Sequence, residues 1–123
     1  MGNTIIKSKK TLLWENTDTS VAFTSKTLSI DFVPYRYIEI EYILFAPEGF
    51  IGPVVRCRVG GGGALIGICG SSSSISGALT GGRRNFSTTT SSIYFSGGAA
   101  CADGGTWFAQ DMHGVPYRIW GIK

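Results

Sequence analysis

The residues best suited to ligand binding lie near the C-terminus, after a glycine-rich segment. Trp107 offers a flat aromatic ring, and Asp111 and His113 follow it with hydrogen-bonding groups. A stacking surface beside polar side chains is typical of sites that hold a sugar. The competing interpretation, which we favour, is that Trp107 and Phe108 pack into the core or a subunit interface. Trp107, Asp111 and His113 are kept as the candidate ligand-binding residues.

Catalytic chemistry has few candidate residues in this sequence. His113 is the single histidine, and we expect it to be an exposed loop residue. Glu39 and Glu41 share one face of a predicted strand, as a glycosidase pair would, but a carboxylate in an ion pair is a poor general acid. No serine lies in the G-x-S-x-G pattern of a nucleophile elbow. We therefore expect a protein that is not an enzyme and has no catalytic residue.

Metal and phosphate sites are not indicated either. Cys57, Cys69 and Cys101 are widely spaced and have no second histidine beside them, so no set of zinc ligands is recognisable, and we expect reduced, buried thiols. Residues 60–63 are four glycines, but a phosphate-binding loop needs Lys followed by Ser or Thr after its last glycine. We predict no cofactor and no metal, and we interpret the glycines as a flexible connection beside a buried strand at 64–69.

Composition limits the class of protein. The chain has 123 residues, of which 43% are hydrophobic and 15% charged, which suits one domain with a real core and excludes intrinsic disorder. Its eleven basic residues give a net charge of +3 but are scattered, so we expect no nucleic-acid partner. No apolar run approaches the roughly 20 residues needed to cross a bilayer. So little charge favours a surface that contacts partner subunits.

The elements that must position these residues are predicted to be strands. Residues 27–32 alternate apolar and polar side chains, β-branched and aromatic residues are common, and no segment has helical periodicity. Further strands are predicted at 10–15, 36–45, 54–59, 64–69, 83–88, 92–96 and 115–123, with a turn at 16–18, a short extended piece at 21–23 and a loop at 97–105. This spacing favours an all-β antiparallel sandwich or jelly roll over 10–123, after an N-terminal arm at 1–9. Trp14 and Trp120 are expected in its core.

Charge matching predicts the register of one hairpin, between the strands at 36–45 and 54–59. An antiparallel pairing with Glu41 opposite Arg56 and Glu39 opposite Arg58 also matches the apolar residues on the other face. A slip by one residue would destroy both matches. The ion pairs would fix the register while adding only about 0.2–1 kcal/mol each.

Several short motifs in this chain occur together in a known order. They are Trp14-Glu15-Asn16, Phe23, residues 28–31 (LSID), residues 35–42 (YRYIEIEY), Arg83-Arg84, the Ser/Thr-rich hairpin at 88–95, and the ending at 115–123 (VPYRIWGIK). The set resembles a domain of structural proteins from phages and prophages of Gram-positive and gut bacteria. That domain has a "LW-x-N" turn, a "Y-x-x-I-E-I" strand and a terminal "I-P-x-x-I-Y-G-I-K". The similarity spans nearly the whole chain.

The resemblance implies a β-sandwich at the tip of a tail fibre, baseplate or head fibre, usually as a homotrimer. The expected function is receptor binding or adhesion on the virion surface, after synthesis in the bacterial cytoplasm. Its expected partners are further copies, other phage structural proteins and a host surface glycan. The alternative is a capsid or tail decoration (cement) protein, since the domain begins almost at Met1 and residues 1–10 could grip the shell. A glycan-degrading enzyme is a third hypothesis, with little support in the sequence.

Overall fold

Alternation of apolar and polar residues produces an antiparallel β-sandwich in this chain. The computed structural model describes residues 10–46, 51–72, 75–101 and 107–123, and within these ranges it contains ten strands and no α-helix. In chain order the strands are β1 (Lys10–Glu15), β2 (Lys26–Ser29), β3 (Tyr37–Phe45), β4 (Ile51–Arg58), β5 (Gly62–Ser72), β6 (Ile75–Thr88), β7 (Ser92–Phe95), β8 (Ala99–Cys101), β9 (Trp107–Ala109) and β10 (His113–Ile122). The predicted all-β antiparallel fold is confirmed.

The strands form two sheets. The first sheet has the order β1-β10-β3-β4, and the second has the order β2-β7-β6-β8-β9, with β5 on the other side of β6. Strand β6 is the centre of the second sheet. β5 runs along one of its sides, while on the other side Phe86–Thr88 pair with β7 and Gly81–Arg83 pair with β8. No helix in the described ranges is long and apolar enough to span a membrane.

The core lies between the two sheets, where their inner faces meet. The first sheet contributes Ile38, Ile40 and Ile119, and the second contributes side chains such as Leu65 and Phe95, all fully buried. Burying each such side chain stabilises the fold by about 1.5–3 kcal/mol. Because successive residues of a strand point to opposite faces, the other side chains of these strands form the two outer faces.

Several predicted strands match the structure, and others do not. The strand at 10–15 and the hairpin that joins 83–88 to 92–96 are confirmed. The extended piece at 21–23 is not a strand, and residues 99–101 of the predicted loop form β8, because β6 and β9 pair with them on both sides. The predicted arm at 1–9 and the loop residues 102–105 lie outside the described residues.

Strand β5 differs from its prediction in two ways. Gly62 and Gly63 belong to the strand and pair with β6, so the glycine run is not a connection throughout. The strand is also not buried on both faces, because it lies at the side of the sheet and alternates: Leu65 is fully buried, whereas Ile66 is 59% exposed. Cys69 lies in this strand, and its side chain is outside the described residues.

The β3–β4 register differs from the predicted one by two residues. Glu39 lies opposite Arg56, and Glu41 lies opposite Val54. Glu39 accepts hydrogen bonds from Arg56 Nη2 at 3.0 Å and from Lys10 Nζ at 3.2 Å. A shift of two residues preserves the faces, so Glu39 keeps its predicted face although its partner differs. Beyond Glu41 the pairing is irregular, and Ile43 and Phe45 are buried in the core.

The two tryptophans of strands β1 and β10 have different environments. Trp14 is half-buried and packs on the core, with its ring 6.1 Å from that of Phe23. Trp120 is on the outer face of the first sheet, where its indole N–H donates to Glu41 and Lys10 Nζ lies 5.3 Å from the ring centroid. The predicted core position is therefore confirmed for Trp14 and wrong for Trp120, because the register places Trp120 beside the outward-facing Glu39.

Candidate functional site

The three candidate ligand-binding residues do not form one surface. Trp107 begins β9 and is 44% exposed, Asp111 lies half-buried in the turn before β10, and His113 begins β10 with 1% of its surface exposed. A ligand at the surface can reach Trp107 but not His113. Trp107 and Phe108 were predicted to pack into the core or a subunit interface; with 40% of Phe108 exposed, they are not in the core of this chain, and the subunit interface stays a prediction.

His113 is a buried packing residue rather than the exposed loop residue that was predicted. Its imidazole lies against Phe45, with 4.7 Å between the ring centroids. On the facing sheet, Gly82 leaves the space that the ring occupies, because a Cβ at that position would lie 2.1 Å from His113 Nδ1. The histidine therefore occupies a gap between the sheets that exists because residue 82 has no side chain.

Asp111 holds loops together. Its carboxylate oxygen Oδ1 accepts a hydrogen bond from Gly98 N at 3.0 Å, which ties the turn before β10 to the segment before β8. Its carbonyl oxygen accepts from Phe23 N at 3.0 Å and from Arg84 Nη2 at 2.9 Å. These bonds give Asp111 a structural role.

Arg84 is an important residue of this region that was not selected from the sequence, and it holds the surrounding backbone segments together from the core. It is fully buried, and its guanidinium donates to four carbonyl oxygens. Nε bonds Gly114 at 2.8 Å, Nη1 bonds Ser96 at 2.7 Å, and Nη2 bonds Asp111 at 2.9 Å and His113 at 3.1 Å. One side chain thus connects β6 to the end of β7 and to the start of β10.

The charge of Arg84 is tolerated because backbone dipoles surround it. Burial lowers the pKa of Arg84 to about 10, and the nearby Asp111 carboxylate opposes that shift, so the guanidinium is protonated at neutral pH. Its central carbon also lies 5.2 Å from the centroid of the Phe23 ring, within cation–π range. The sequence could have indicated this position, because Arg84 and Phe86 are two residues apart in the predicted strand and therefore point to the same face.

Arg83 points the opposite way, to the outer face of the second sheet. Its guanidinium carbon lies 4.4 Å from the ring centroid of the exposed Trp107. Strand β8 lies between them: its Ala99 is paired with Arg83 and with Ala109, and its Cys101 is paired with Trp107. Among the described residues, no carboxylate forms an ion pair with Arg83. We name Arg83, Trp107, Ala99, Ala109 and the neighbouring Ile66 the Arg83–Trp107 surface.

This surface has the chemistry of recognition. A guanidinium stacked on an aromatic ring keeps its N–H edges free, and those edges can bind a carboxylate, a phosphate or a hydroxyl of a ligand. The small side chains of Ala99 and Ala109 leave the edge of the ring uncovered on that side. Tyr94, 45% exposed, lies further along the same face, where it pairs with Ser87.

A cleft and a free cysteine elsewhere in the described residues offer less chemistry. A shallow cleft of about 380 Å³ is lined by Val33, Pro34, Tyr35, Arg36 and Lys123. No three His, Cys, Asp or Glu residues in the described ranges lie close enough together to hold a metal ion. Cys57 is a half-buried free thiol on the inner face of β4. Burial raises its pKa, so a smaller fraction of it is the reactive thiolate.

Comparison of the chain with protein-family models, with curated proteins and with solved structures gives no match. The function proposed below is therefore argued from two sources only. One is the geometry of the Arg83–Trp107 surface. The other is the set of motifs that resembles a phage structural domain.

Proposed function

We propose that this chain is a binding module on the surface of a bacteriophage particle, a homotrimeric receptor-binding or adhesion tip of a tail or head fibre. The observation that carries the binding role is the Arg83–Trp107 pair, which exposes a cation and an aromatic ring together on the outer face of the second sheet. The phage particle and the trimer come from the motif resemblance. A glycan of the host cell surface is the proposed ligand.

The distribution of charge supports binding at this place. On the outer face of the first sheet, the carboxylate of Glu39 is already bonded by Lys10 and Arg56. On the outer face of the second sheet, Arg83 has no such partner in the described part of the chain. Arg58 of the first sheet also has no ion pair among the described residues, but Arg83 is in addition stacked on an exposed aromatic ring, so a ligand can use the cation and the ring together.

The residue types on this face support the same role. Tryptophan, tyrosine and arginine are the residues most enriched at the energetic centres of protein interfaces. Trp107, Arg83 and Tyr94 supply all three on the outer face of one sheet, and Ile66 adds apolar area beside them. Arginine and tryptophan are also poor proton donors and acceptors near neutral pH, so the pair suits recognition better than acid–base catalysis.

The test is a binding measurement on the full chain. Fluorescently labelled protein is applied to an array of bacterial surface glycans and to whole cells of Gram-positive and gut bacteria. Arg83→Gln and Trp107→Ala are compared with Arg58→Gln, which removes an exposed arginine from β4 of the first sheet. We expect about a tenfold or greater loss of binding for the first two variants, the size typical of an interface centre, and wild-type binding for the control.

Two results would contradict the proposal. One is wild-type protein that binds no glycan and no cell while control lectins bind. The other is equal binding by all variants, which would remove the Arg83–Trp107 surface from the site. Locating the chain on the capsid shell of imaged virions would favour the decoration protein instead.

A further inference from the structure

Within the described residues, the hairpin of β5 and β6 extends beyond the strands that pair with the other side of β6. In its near half, β6 is paired on both sides, with β5 on one side and with β7 and β8 on the other. In its far half, Cys69 pairs with Thr80, Ser71 with Leu79 and Ser72 with Ile75. Within the described residues, no third strand joins this half. We name residues 68–72 and 75–80 the hairpin arm.

A two-stranded ribbon has little stability of its own. An isolated hairpin is only marginally stable in water, and three or more strands are needed for independent stability. Each unpaired side of a strand also presents a row of N–H and C=O groups that will pair with another chain. The hairpin arm has two such sides among the described residues, one on β5 and one on β6.

The sequence of the arm lacks the residues that protect exposed strands. Natural proteins block the side of a sheet with charged side chains, proline or bulges, because an unprotected strand aggregates. The chain carries no Asp, Glu, Lys, Arg or Pro between Arg58 and Arg83, a stretch that includes all of β5 and the whole arm. The pairing is irregular between Cys69 and Ser72, but neither charge nor proline protects the rest of the strand, which indicates that it is paired in the working protein.

The near end of the arm is fixed to the sandwich. The Tyr42 hydroxyl of β3 donates to the carbonyl oxygen of Ile66 at 2.7 Å. Gly67 lies so close to Leu44 that a Cβ at residue 67 would be 2.2 Å from Leu44 Cδ2. The first sheet therefore holds β5 up to the point where the arm begins, and the arm projects from a fixed base.

We propose that the hairpin arm is the element through which copies of this chain associate, with a second copy as its partner. The free side of β5 in one copy pairs with the free side of β6 in the next copy. Because those two sides differ, the contact is head-to-tail, and repeating it by a rotation closes a ring, as a homotrimer requires. Neither arm carries a charged residue, so the contact brings no like charges together, and the charged residues that give the net charge of +3 lie outside the arm.

This inference rests on the proposed function, since it assigns the surface through which the proposed homotrimer forms. It is distinct from the Arg83–Trp107 surface, and the two are tested by different measurements. A chain that forms the oligomer but binds no host surface would overturn the receptor role and leave the arm. A chain that binds through Trp107 as a monomer would overturn the arm and leave the receptor role.

The test is sedimentation velocity of the full chain, with native mass spectrometry as a second readout. In an arm-deleted variant, Asn-Gly replaces residues 70–79 and closes a two-residue turn between the paired Cys69 and Thr80. A milder variant, Leu79→Lys, adds one charge to the arm. Its matched control, Asn85→Lys, adds the same charge to an exposed position in the near half of β6. Circular dichroism and urea unfolding confirm that each variant is folded.

We expect the wild type and Asn85→Lys to sediment at three times the 13.1 kDa mass of the chain. The arm-deleted variant and Leu79→Lys are expected to fall to a single chain mass at the same concentration. A monomeric wild type would overturn the proposal. So would a folded arm-deleted or Leu79→Lys variant that keeps the wild-type mass. If the arm-deleted variant does not fold, Leu79→Lys against Asn85→Lys decides the question.

Discussion

Arg83 and Arg84 are neighbours in the chain, yet they lie in opposite environments. Arg84 is fully buried and donates to four backbone carbonyls, whereas Arg83 is exposed and stacks on Trp107. The alternation of a strand accounts for the difference, because successive side chains point to opposite faces. One arginine therefore stabilises the fold and its neighbour is available to a partner.

The same contrast separates the two outer faces of the sandwich. On the first sheet, Glu39 is held by Lys10 and Arg56, and Arg58 has no ion pair among the described residues. On the second sheet, the described residues leave Arg83 without a carboxylate. Glu39 on the first outer face therefore has its partners within the chain, whereas Arg83 and Trp107 on the second outer face are the pair that we propose binds a ligand.

The largest expected effect comes from removing the inner arginine. Arg84→Met removes the charged donor and its four hydrogen bonds to backbone carbonyls, of which the Asp111 carbonyl keeps Phe23 N as a donor, so we expect the free energy of unfolding to fall by about 3–5 kcal/mol. Arg83→Met is the matched control. It loses an exposed cation–π contact and should cost about 1 kcal/mol or less. Urea unfolding followed by tryptophan fluorescence measures both. Equal losses in the two variants would refute the contrast between the neighbouring arginines.

A smaller, pH-dependent effect is expected at Glu39. Burial raises the pKa of Glu39, but hydrogen bonds from Arg56 and Lys10 lower it more, so the pKa lies below its usual 4.5. A lowered pKa stabilises the fold above the unfolded-state pKa, and the contribution is lost as pH falls through the folded-state pKa. Glu39→Gln should therefore cost about 1 kcal/mol at pH 7, because both cationic partners are partly exposed.

Unfolding measurements from pH 7 down to pH 3 check this expectation. The wild type and Glu39→Gln should differ at neutral pH and converge in acid. A difference that is the same at both ends of the range would show that the ion pairs of the first sheet contribute nothing that depends on charge.

The smallest effect concerns the β3–β4 register. A double-mutant cycle on Glu39 and Arg56 should give a coupling of about 0.2–1 kcal/mol, the range of cross-strand ion pairs. The cycle on Glu41 and Arg56 should give a coupling close to zero, because Glu41 faces Val54 and accepts from Trp120. The reverse order of the two couplings would restore the register that charge matching predicts.

The faces of the strands could be predicted from the sequence, whereas their partners could not. Alternation in a strand has a period of two, so a register shifted by two residues preserves every face. Acidic residues at 39 and 41 and basic residues at 56 and 58 form two opposite-charge pairs in the predicted register and one, Glu39 with Arg56, in the observed register. Only the whole sheet decides between them, because β10 brings Trp120 to Glu41 and β1 brings Lys10 to Glu39.

The candidate site was only partly predictable for a related reason. Trp107 stands out in the sequence as an aromatic residue after a glycine-rich segment, and it is exposed as a binding residue must be. His113 looked equally available, but its burial depends on the space left by Gly82, which lies far away in the chain. Arg83 was not selected, because its contact with Trp107 forms across β8, a strand hidden in residues that resemble a loop.

The central claim is that the Arg83–Trp107 surface serves a partner and not the fold. The most direct test measures host-surface binding and urea unfolding on the same preparation of Arg83→Gln. The account predicts that binding falls about tenfold or more while the free energy of unfolding changes by about 1 kcal/mol or less. Unchanged binding with a large loss of stability would contradict it, because Arg83 would then be a structural residue like its neighbour.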